Sequence, residues 1–406
     1  MKKRLQNTDV KNKTVVLRVD YNVPMRNNQI LDDTKIKETL ETINYLLDQN
    51  CKIVILSHLG KVKTEKDKET KSLRPIGERL SSLLGRQVYF SELNYGIEVY
   101  QRVKALKPQE LILLENTRFL DLPNKLESNC DPQLSEFFAS LGDVFVNDAF
   151  ASSHRKHAST YGISMYLETC IGFLMQKEID AIDKYILNAT HPFTIVMGGS
   201  KIDDKLSLIK NLLPKCDHML LGGGIANSAL YALGFEVGES LVNDDPEIVK
   251  EIQDLLWKYK DKIVLPFDAI VGSTYDQNYV KYKRINEIGK NDMINDIGTI
   301  TLQEYEKIIN QSSTIFINGT MGIYEDIKFA NGTKELLSIL ARSNKTVIAG
   351  GGDAASSVKN LGYKDKLTYV CSGGGATLEY ISLGHLKALE SVKDEEEVET
   401  LEIWKK

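Results

Sequence analysis

Short apolar runs alternate with amphipathic stretches along nearly the whole chain, the pattern of parallel α/β layers. In the N-terminal half the runs that predict strands are Thr14–Val19, Lys52–Leu56, Gln87–Phe90, Glu110–Leu114 and Val144–Val146. In the C-terminal half they are Phe193–Met197, His218–Leu221, Ile263–Pro266, Thr314–Ile317, Thr346–Ala349 and Leu367–Cys371. Between the first two strands, Ile36, Leu40, Ile43 and Leu47 recur at helical spacing and predict a helix over Thr34–Leu47. Further helices are expected over Lys201–Leu213, Pro246–Tyr259, Leu302–Ile309 and Lys334–Ser343. A connecting helix is expected in Gly172–Asn188, where Ile179, Ile182 and Ile186 continue an apolar stripe.

Three apolar runs of the second half end in glycine triplets: Gly222-Gly223-Gly224, Gly350-Gly351-Gly352 and Gly373-Gly374-Gly375. A fourth turn, Gly198-Gly199-Ser200-Lys201, follows Met197 and adds a lysine. Glycines between a strand and a helix let the backbone approach a ligand, with free helix N–H groups aimed at it, which suits phosphate. One such turn often only permits tight packing; four in one half predict a polyphosphate site. The first half ends its strands differently, in Arg18-Val19-Asp20-Tyr21-Asn22, Ser57-His58-Leu59-Gly60-Lys61, Glu115-Asn116-Thr117-Arg118 and Asn147-Asp148 followed by His154-Arg155-Lys156-His157. Ligands of open parallel sheets bind at the carboxyl ends of strands, so two chemically different sites are implied. Converging arginines, lysines and histidines suit a small substrate carrying carboxylate and phosphate.

Composition narrows the class. The chain has 406 residues, 42% hydrophobic and 26% charged, with a formal net charge of −5, values of an ordinary globular protein without a general nucleic-acid footprint. The basic start Met1–Gln6 is followed by no apolar segment, and no apolar run is long enough to span a bilayer, so neither a signal peptide nor membrane association is expected. The five cysteines are scattered and predict reduced thiols in a cytoplasmic protein.

On the nucleotide side, the P-loop pattern is absent. Gly350-x-Gly352-x-x-Ala355 fits a loose dinucleotide pattern, but the acidic residue expected near Val370 is missing. Asp353, directly behind three glycines, either holds Mg²⁺ against backbone-bound phosphates or caps the following helix. Lys201 and Lys205 fall four apart at an expected helix start and would share one face toward a phosphate chain.

In this order the motifs resemble phosphoglycerate kinase, and the likeness spans essentially the whole chain. That family shows R-V-D-F-N-V-P, D-D-T-R-I, S-H-L-G-R-P, E-N-x-R-F, N-D-A-F-x-x-x-H-R-x-H, G-G-A-K-x-x-D-K, G-G-G-M-A, W-N-G-P-x-G-x-F-E, G-G-G-D-T and S-T-G-G-G-A. The resemblance implies an α/β fold of two Rossmann-like parallel-sheet lobes joined by a helix hinge: residues 1–170 for 3-phosphoglycerate, hinge helix 171–188, nucleotide lobe 189–385, and a tail 386–406 docking back on the first lobe. It implies Mg²⁺-dependent transfer between ATP/ADP and 3-phosphoglycerate/1,3-bisphosphoglycerate in glycolysis, by a monomer whose lobes close on their substrates. By motif, Asp20, Asn22, Lys35, His58, Lys61, Arg118 and Arg155 bind substrate. Gly199, Lys201, Lys205, Gly223, Gly224, Asn318, Glu325, Gly350, Gly351, Gly352 and Asp353 bind nucleotide, with Asp353 the metal carboxylate. Catalytic roles fall to Lys35, Lys201, Gly374 and Gly375.

The departures are specific. Lys35 and Lys61 stand at family arginines, Val62 and Thr320 at prolines, Ile317 at the tryptophan, Ala354 at a threonine and Cys371-Ser372 at Ser-Thr. Lysine keeps the charge of arginine but loses its planar fork. Two other readings follow from these changes: a paralogous kinase for another carboxylate, or a nucleotide-binding regulatory protein with impaired catalysis.

Overall fold

The computed structural model describes residues 2–395, in two compact units. One comprises the chain up to Asp180 together with the segment from His385; the other is Ala181–Gly384. In the tail expected to dock back, the apolar Val398, Leu401, Ile403 and Trp404 lie outside the described residues.

The first unit is built on a six-stranded, all-parallel sheet. Its order is Val88–Ser91, Leu111–Leu114, Lys52–Leu56, Thr14–Arg18, Val144–Asn147, Thr169–Ile171. Both faces are covered, so its central strands are continuous apolar runs: Val15, Val16 and Leu17 are buried, as are Ile53, Val54, Ile55 and Leu56. Leu46, Ile43 and Ile76 pack one face, and Val99, Val103 and Phe138 the other. The expected helix over Thr34–Leu47 is broken into Thr34–Lys37 and Leu40–Asp48, because the Thr39 hydroxyl donates to Ile36 O at 2.8 Å and meets Tyr21 Oη at 2.9 Å. Ala388 N–H donates to Ser153 O at 2.9 Å, and Lys3 N–H to Lys393 O at 2.8 Å, tying the later segment to this sheet's surroundings.

The second unit carries a parallel six-stranded sheet ordered Ile263–Val264, His218–Leu221, Phe193–Met197, Thr314–Asn318, Thr346–Ala349, Tyr369–Val370. In order along the chain this is 3-2-1-4-5-6, the doubly wound arrangement. Strand order therefore reverses between Phe193–Met197 and Thr314–Asn318. The last strand is only Tyr369–Val370, shorter than the expected Leu367–Cys371. A three-stranded antiparallel sheet, Lys281–Arg284, Asp268–Gly272 and Met293–Ile297, was not foreshadowed by the apolar pattern. Helix Pro246–Lys258 starts as expected, with Pro246 first and the Asp245 carboxylate accepting from Glu247 N–H at 2.9 Å, a cap worth about 1 kcal/mol. Helix Phe173–Ile182 runs on into a wide π-turn, Asp183–Leu187. Among the described residues no helix is long and apolar enough to cross a membrane.

Candidate functional site

In the first unit, the loops leaving the carboxyl ends of four strands converge. Arg18, the last residue of its strand, is fully buried. Its guanidinium donates to Val19 O, to Ser159 Oγ at 2.9 Å and to His58 Nδ1 at 3.2 Å. Arginine can only donate, so His58 Nδ1 is the acceptor and the ring proton sits on Nε2. Burial lowers His58 to about 3, the positive field of Arg18 adding to it and Asp20 opposing, so the ring is neutral at ordinary pH.

Asp20 is 8% exposed and takes Lys35 Nζ on Oδ2 at 2.9 Å and Asn22 N–H on Oδ1 at 3.0 Å. Burial pushes its carboxyl up, but Lys35 foremost among the opposing groups outweighs this and leaves it below the usual value. Asn22 Oδ1 accepts from Gly60 N–H at 2.8 Å, fixing the loop that carries Lys61. Arg118 is 9% exposed, held by Asp121 at 2.8 Å and by Ser128, and its buried Nε has no protein partner. Lys61 and Arg155 are exposed, Arg155 Nε donating to His154 Nε2 at 3.0 Å. His157 is buried and its pKa lowered, first by burial and then by Arg118, Arg18, His58 and Arg155. The arrangement is a cationic pocket with a neutral histidine donor.

Two residues that shape this pocket were quoted in the motifs but not selected from sequence: Arg18 and His157. A third, Asn116, is purely organising. Its buried amide donates to Leu59 O at 2.8 Å and Lys71 O at 2.9 Å and accepts from Leu59 N–H at 3.1 Å and Arg118 N–H at 3.0 Å.

In the second unit, a cleft of about 340 Å³ opens at the reversal of strand order. Gly199, Gly223, Gly224, Glu325 and Asp353 line it, together with Ser200, Asn227, Thr320, Tyr324 and the apolar Leu241, Met293, Ile294 and Ile323. The antiparallel strand Met293–Ile297 thus supplies a wall that sequence reasoning missed. Gly199 N–H donates to Thr320 O at 2.9 Å and Gly198 N–H to Asn318 O at 2.8 Å, zipping the two turns together. Gly224 is needed for close approach: a Cβ there would stand 2.1 Å from Ser200 O.

Asp353 is the second residue of helix Gly352–Asn360, whose cap position is Gly351 (φ +92°), and its side chain is exposed on the cleft wall. The capping alternative for Asp353 therefore does not hold. The single-face relation of the two lysines also fails. The helix begins at Leu206 after a 3₁₀ turn, Asp203–Lys205, and Lys201 precedes both. Lys205 Nζ turns back to Gly198 O at 2.7 Å, while Lys201 is exposed. Asn318 is buried beneath the Gly350 turn, donating to Gly350 O at 2.6 Å, with its own Oδ1 unpartnered. Gly350 and Gly351 are buried and Gly352 and Gly375 exposed; a Cβ on Gly352, Gly374 or Gly375 would meet no protein atom within 4 Å.

The sequence profile of the phosphoglycerate kinase family matches residues 5–383. A curated phosphoglycerate kinase of Listeria innocua is 44% identical over 396 residues, spanning 97% of this chain and 99% of that one. One from Macrococcus caseolyticus is 41% identical over 97% of this chain and all of its own length. Among solved structures, phosphoglycerate kinase from Coxiella burnetii superposes with a TM-score of 0.86 at 35% identity, covering 97% of this chain and 99% of that one. The enzyme from Pyrococcus horikoshii does so with 0.81 at 31%, covering 96% and 98%. A doubly wound sheet with glycine turns at its switch point, a second parallel sheet ending in a cationic pocket, and likeness over nearly the full length agree: the chain belongs to the phosphoglycerate kinase family.

Proposed function

We propose that the cationic pocket of the first unit holds 3-phosphoglycerate and the glycine-lined cleft of the second holds ATP or ADP. Phosphoglycerate kinase is the activity of the family, a phosphotransfer between nucleotide and carboxylate. A carboxylate oxygen of 3-phosphoglycerate attacks the γ-phosphorus, the bond to the ADP oxygen breaks, and the acyl phosphate forms; the reverse direction makes ATP. The observation that carries the assignment is how chemistry is sorted: cations and a neutral His58 at the strand ends of one unit, backbone turns with the carboxylates of Glu325 and Asp353 in the cleft of the other.

Within this reading His58 donates through Nε2 to a substrate oxygen, Arg118 offers a fork whose Nε still lacks a partner, and Lys35 brings charge beside Asp20. Lys201 and Lys205 are assigned to the nucleotide phosphates, Glu325 to the sugar side, and Gly374 and Gly375 to backbone donation at the transferring group. Asp353 fits Mg²⁺: its carboxylate is exposed on the wall of the glycine-lined cleft, and Mg²⁺ is commonly held by one or two carboxylates, substrate phosphates and water. Bound there, Mg²⁺ would supply positive charge shared between phosphates. Transfer requires both ligands in one reaction volume, so we assign the chain a closing motion, with the helix and π-turn of Phe173–Leu187 as the hinge. The cysteines, none of them in a disulfide and most of them buried, support a reducing, cytoplasmic setting. No observation favours a different carboxylate or a non-catalytic role.

Titration calorimetry on the full chain tests the sorting. Arg118→Met should abolish 3-phosphoglycerate binding and keep nucleotide binding, while Gly224→Ala should weaken nucleotide binding and keep 3-phosphoglycerate binding. Loss of both ligands in either folded variant would contradict the assignment.

A further inference from the structure

Behind the cationic pocket lies a second layer, made of Glu127 and Ser159, that touches no solvent. Glu127 is fully buried and accepts twice from Ser159, on Oε2 from its N–H at 3.0 Å and on Oε1 from its hydroxyl at 2.5 Å. With its hydroxyl hydrogen directed at Glu127, Ser159 Oγ has only lone pairs left, and Arg18 Nε donates into them at 2.9 Å. Arg18 then donates from its other end to His58 Nδ1 at 3.2 Å. Every link has one possible direction, because a carboxylate accepts and arginine donates.

We infer that Glu127 and Ser159 are positioning residues that act through Arg18 to hold His58 in the Nε2–H tautomer, facing the substrate with a donor. The inference rests on the assignment of the 3-phosphoglycerate site above. Arg18 is fully buried and no carboxylate lies in direct ion-pair contact with it among the described residues, so its orientation depends on Val19 O and on this indirect acceptor. Buried Glu127 is itself pushed up by desolvation and restrained chiefly by Arg18, which couples the two groups across the serine. The charged and titratable groups facing His58 are Asp20, Arg18, Arg118, Lys35 and His157. Of these Arg18 alone bonds its ring, and that bond sets the tautomer.

Ser159→Ala removes the acceptor with the loss of one oxygen, and Glu127→Gln keeps shape while removing charge. Nitrogen-15 NMR of the imidazole in the full chain should show wild-type His58 as a single Nε2–H form from pH 5 to 8. In both variants the tautomers should mix. KM for 3-phosphoglycerate should rise about ten-fold, the size of one charge-assisted hydrogen bond, with kcat and the KM for ATP within about two-fold of wild type. A role limited to folding would lower stability and kcat while leaving tautomer and KM alone, and that outcome would overturn the inference. His58→Ala is the control for the site: unchanged 3-phosphoglycerate affinity there refutes the pocket assignment, whereas lost affinity together with an unmoved tautomer in Ser159→Ala refutes only the positioning layer.

Discussion

A single methyl group at residue 224 should separate the nucleotide cleft from the rest of the enzyme. In Gly224→Ala the new Cβ would lie 2.1 Å from Ser200 O and 2.9 Å from Ser200 C, both backbone atoms. Ordinary contact requires the Gly198–Lys201 turn or the start of helix Gly223–Ala232 to retreat by more than an ångström. Overpacking of this kind costs about 1–3 kcal/mol of stability, and a misplacement of about 1 Å costs about 10²-fold in a reaction that depends on positioning. KM for ATP should therefore rise by about 10–100-fold, with KM for 3-phosphoglycerate nearly unchanged. Gly352→Ala is the informative partner, because its Cβ meets no protein atom within 4 Å and its backbone lies outside the left-handed region. That variant should keep wild-type thermal stability yet still weaken ATP, since only the ligand is there to be crowded. Steady-state kinetics with each substrate varied in turn, beside thermal unfolding, reads both KM values and the stability of each variant. Equal loss for both substrates in Gly224→Ala, or full ATP affinity in Gly352→Ala, would refute the claim that these turns cradle phosphate.

Asp353→Asn should leave folding intact and lower Mg²⁺-dependent turnover by about 10²–10⁴-fold, several kcal/mol of barrier; an unaltered rate at saturating Mg²⁺ would remove the carboxylate from the metal. Lys35→Arg should raise kcat/KM about three- to ten-fold, because a fork can keep Asp20 and still reach a substrate oxygen, and Lys61→Arg, starting from an exposed side chain, should gain less; a loss in both would show that the pocket has adapted to lysine. His58 and His157 both have lowered pKa values in the fold, so between pH 6.5 and about 3 the unfolded chain takes up protons that the folded chain refuses. Stability should therefore fall as pH drops through this window, and the double variant His58→Gln/His157→Gln should flatten the slope of melting temperature against pH; an unchanged slope would place these rings in water.

Much of this fold was legible because its strands are buried on both faces. Phe193–Met197, His218–Leu221, Thr346–Ala349 and Lys52–Leu56 have the bounds that their apolar runs suggested. Thr169–Ile171 was invisible because three residues carry no periodicity, and Lys281–Arg284 because an exposed edge strand reads Lys-Tyr-Lys-Arg. The latter sheet matters, since Met293 and Ile294 wall the cleft. Glycine turns and strand-end cations announced both sites, yet spacing misjudged Lys201 and Lys205, whose helix starts later than the apolar pattern implied. Glu127, Ser159 and Arg18 are far apart in sequence and meet only in the folded unit, so no local signal could have linked them.

The central claim is that this chain moves a phosphoryl group between ATP and the carboxylate of 3-phosphoglycerate. The direct measurement is to incubate the purified chain with ATP, Mg²⁺ and 3-phosphoglycerate and trap the acyl phosphate with hydroxylamine, alongside a panel of other carboxylates. The account predicts hydroxamate formation that depends on 3-phosphoglycerate and Mg²⁺, exceeds that for every other acid in the panel, and falls in Asp353→Asn. Nucleotide binding without hydroxamate, or faster transfer to another acid, would contradict it.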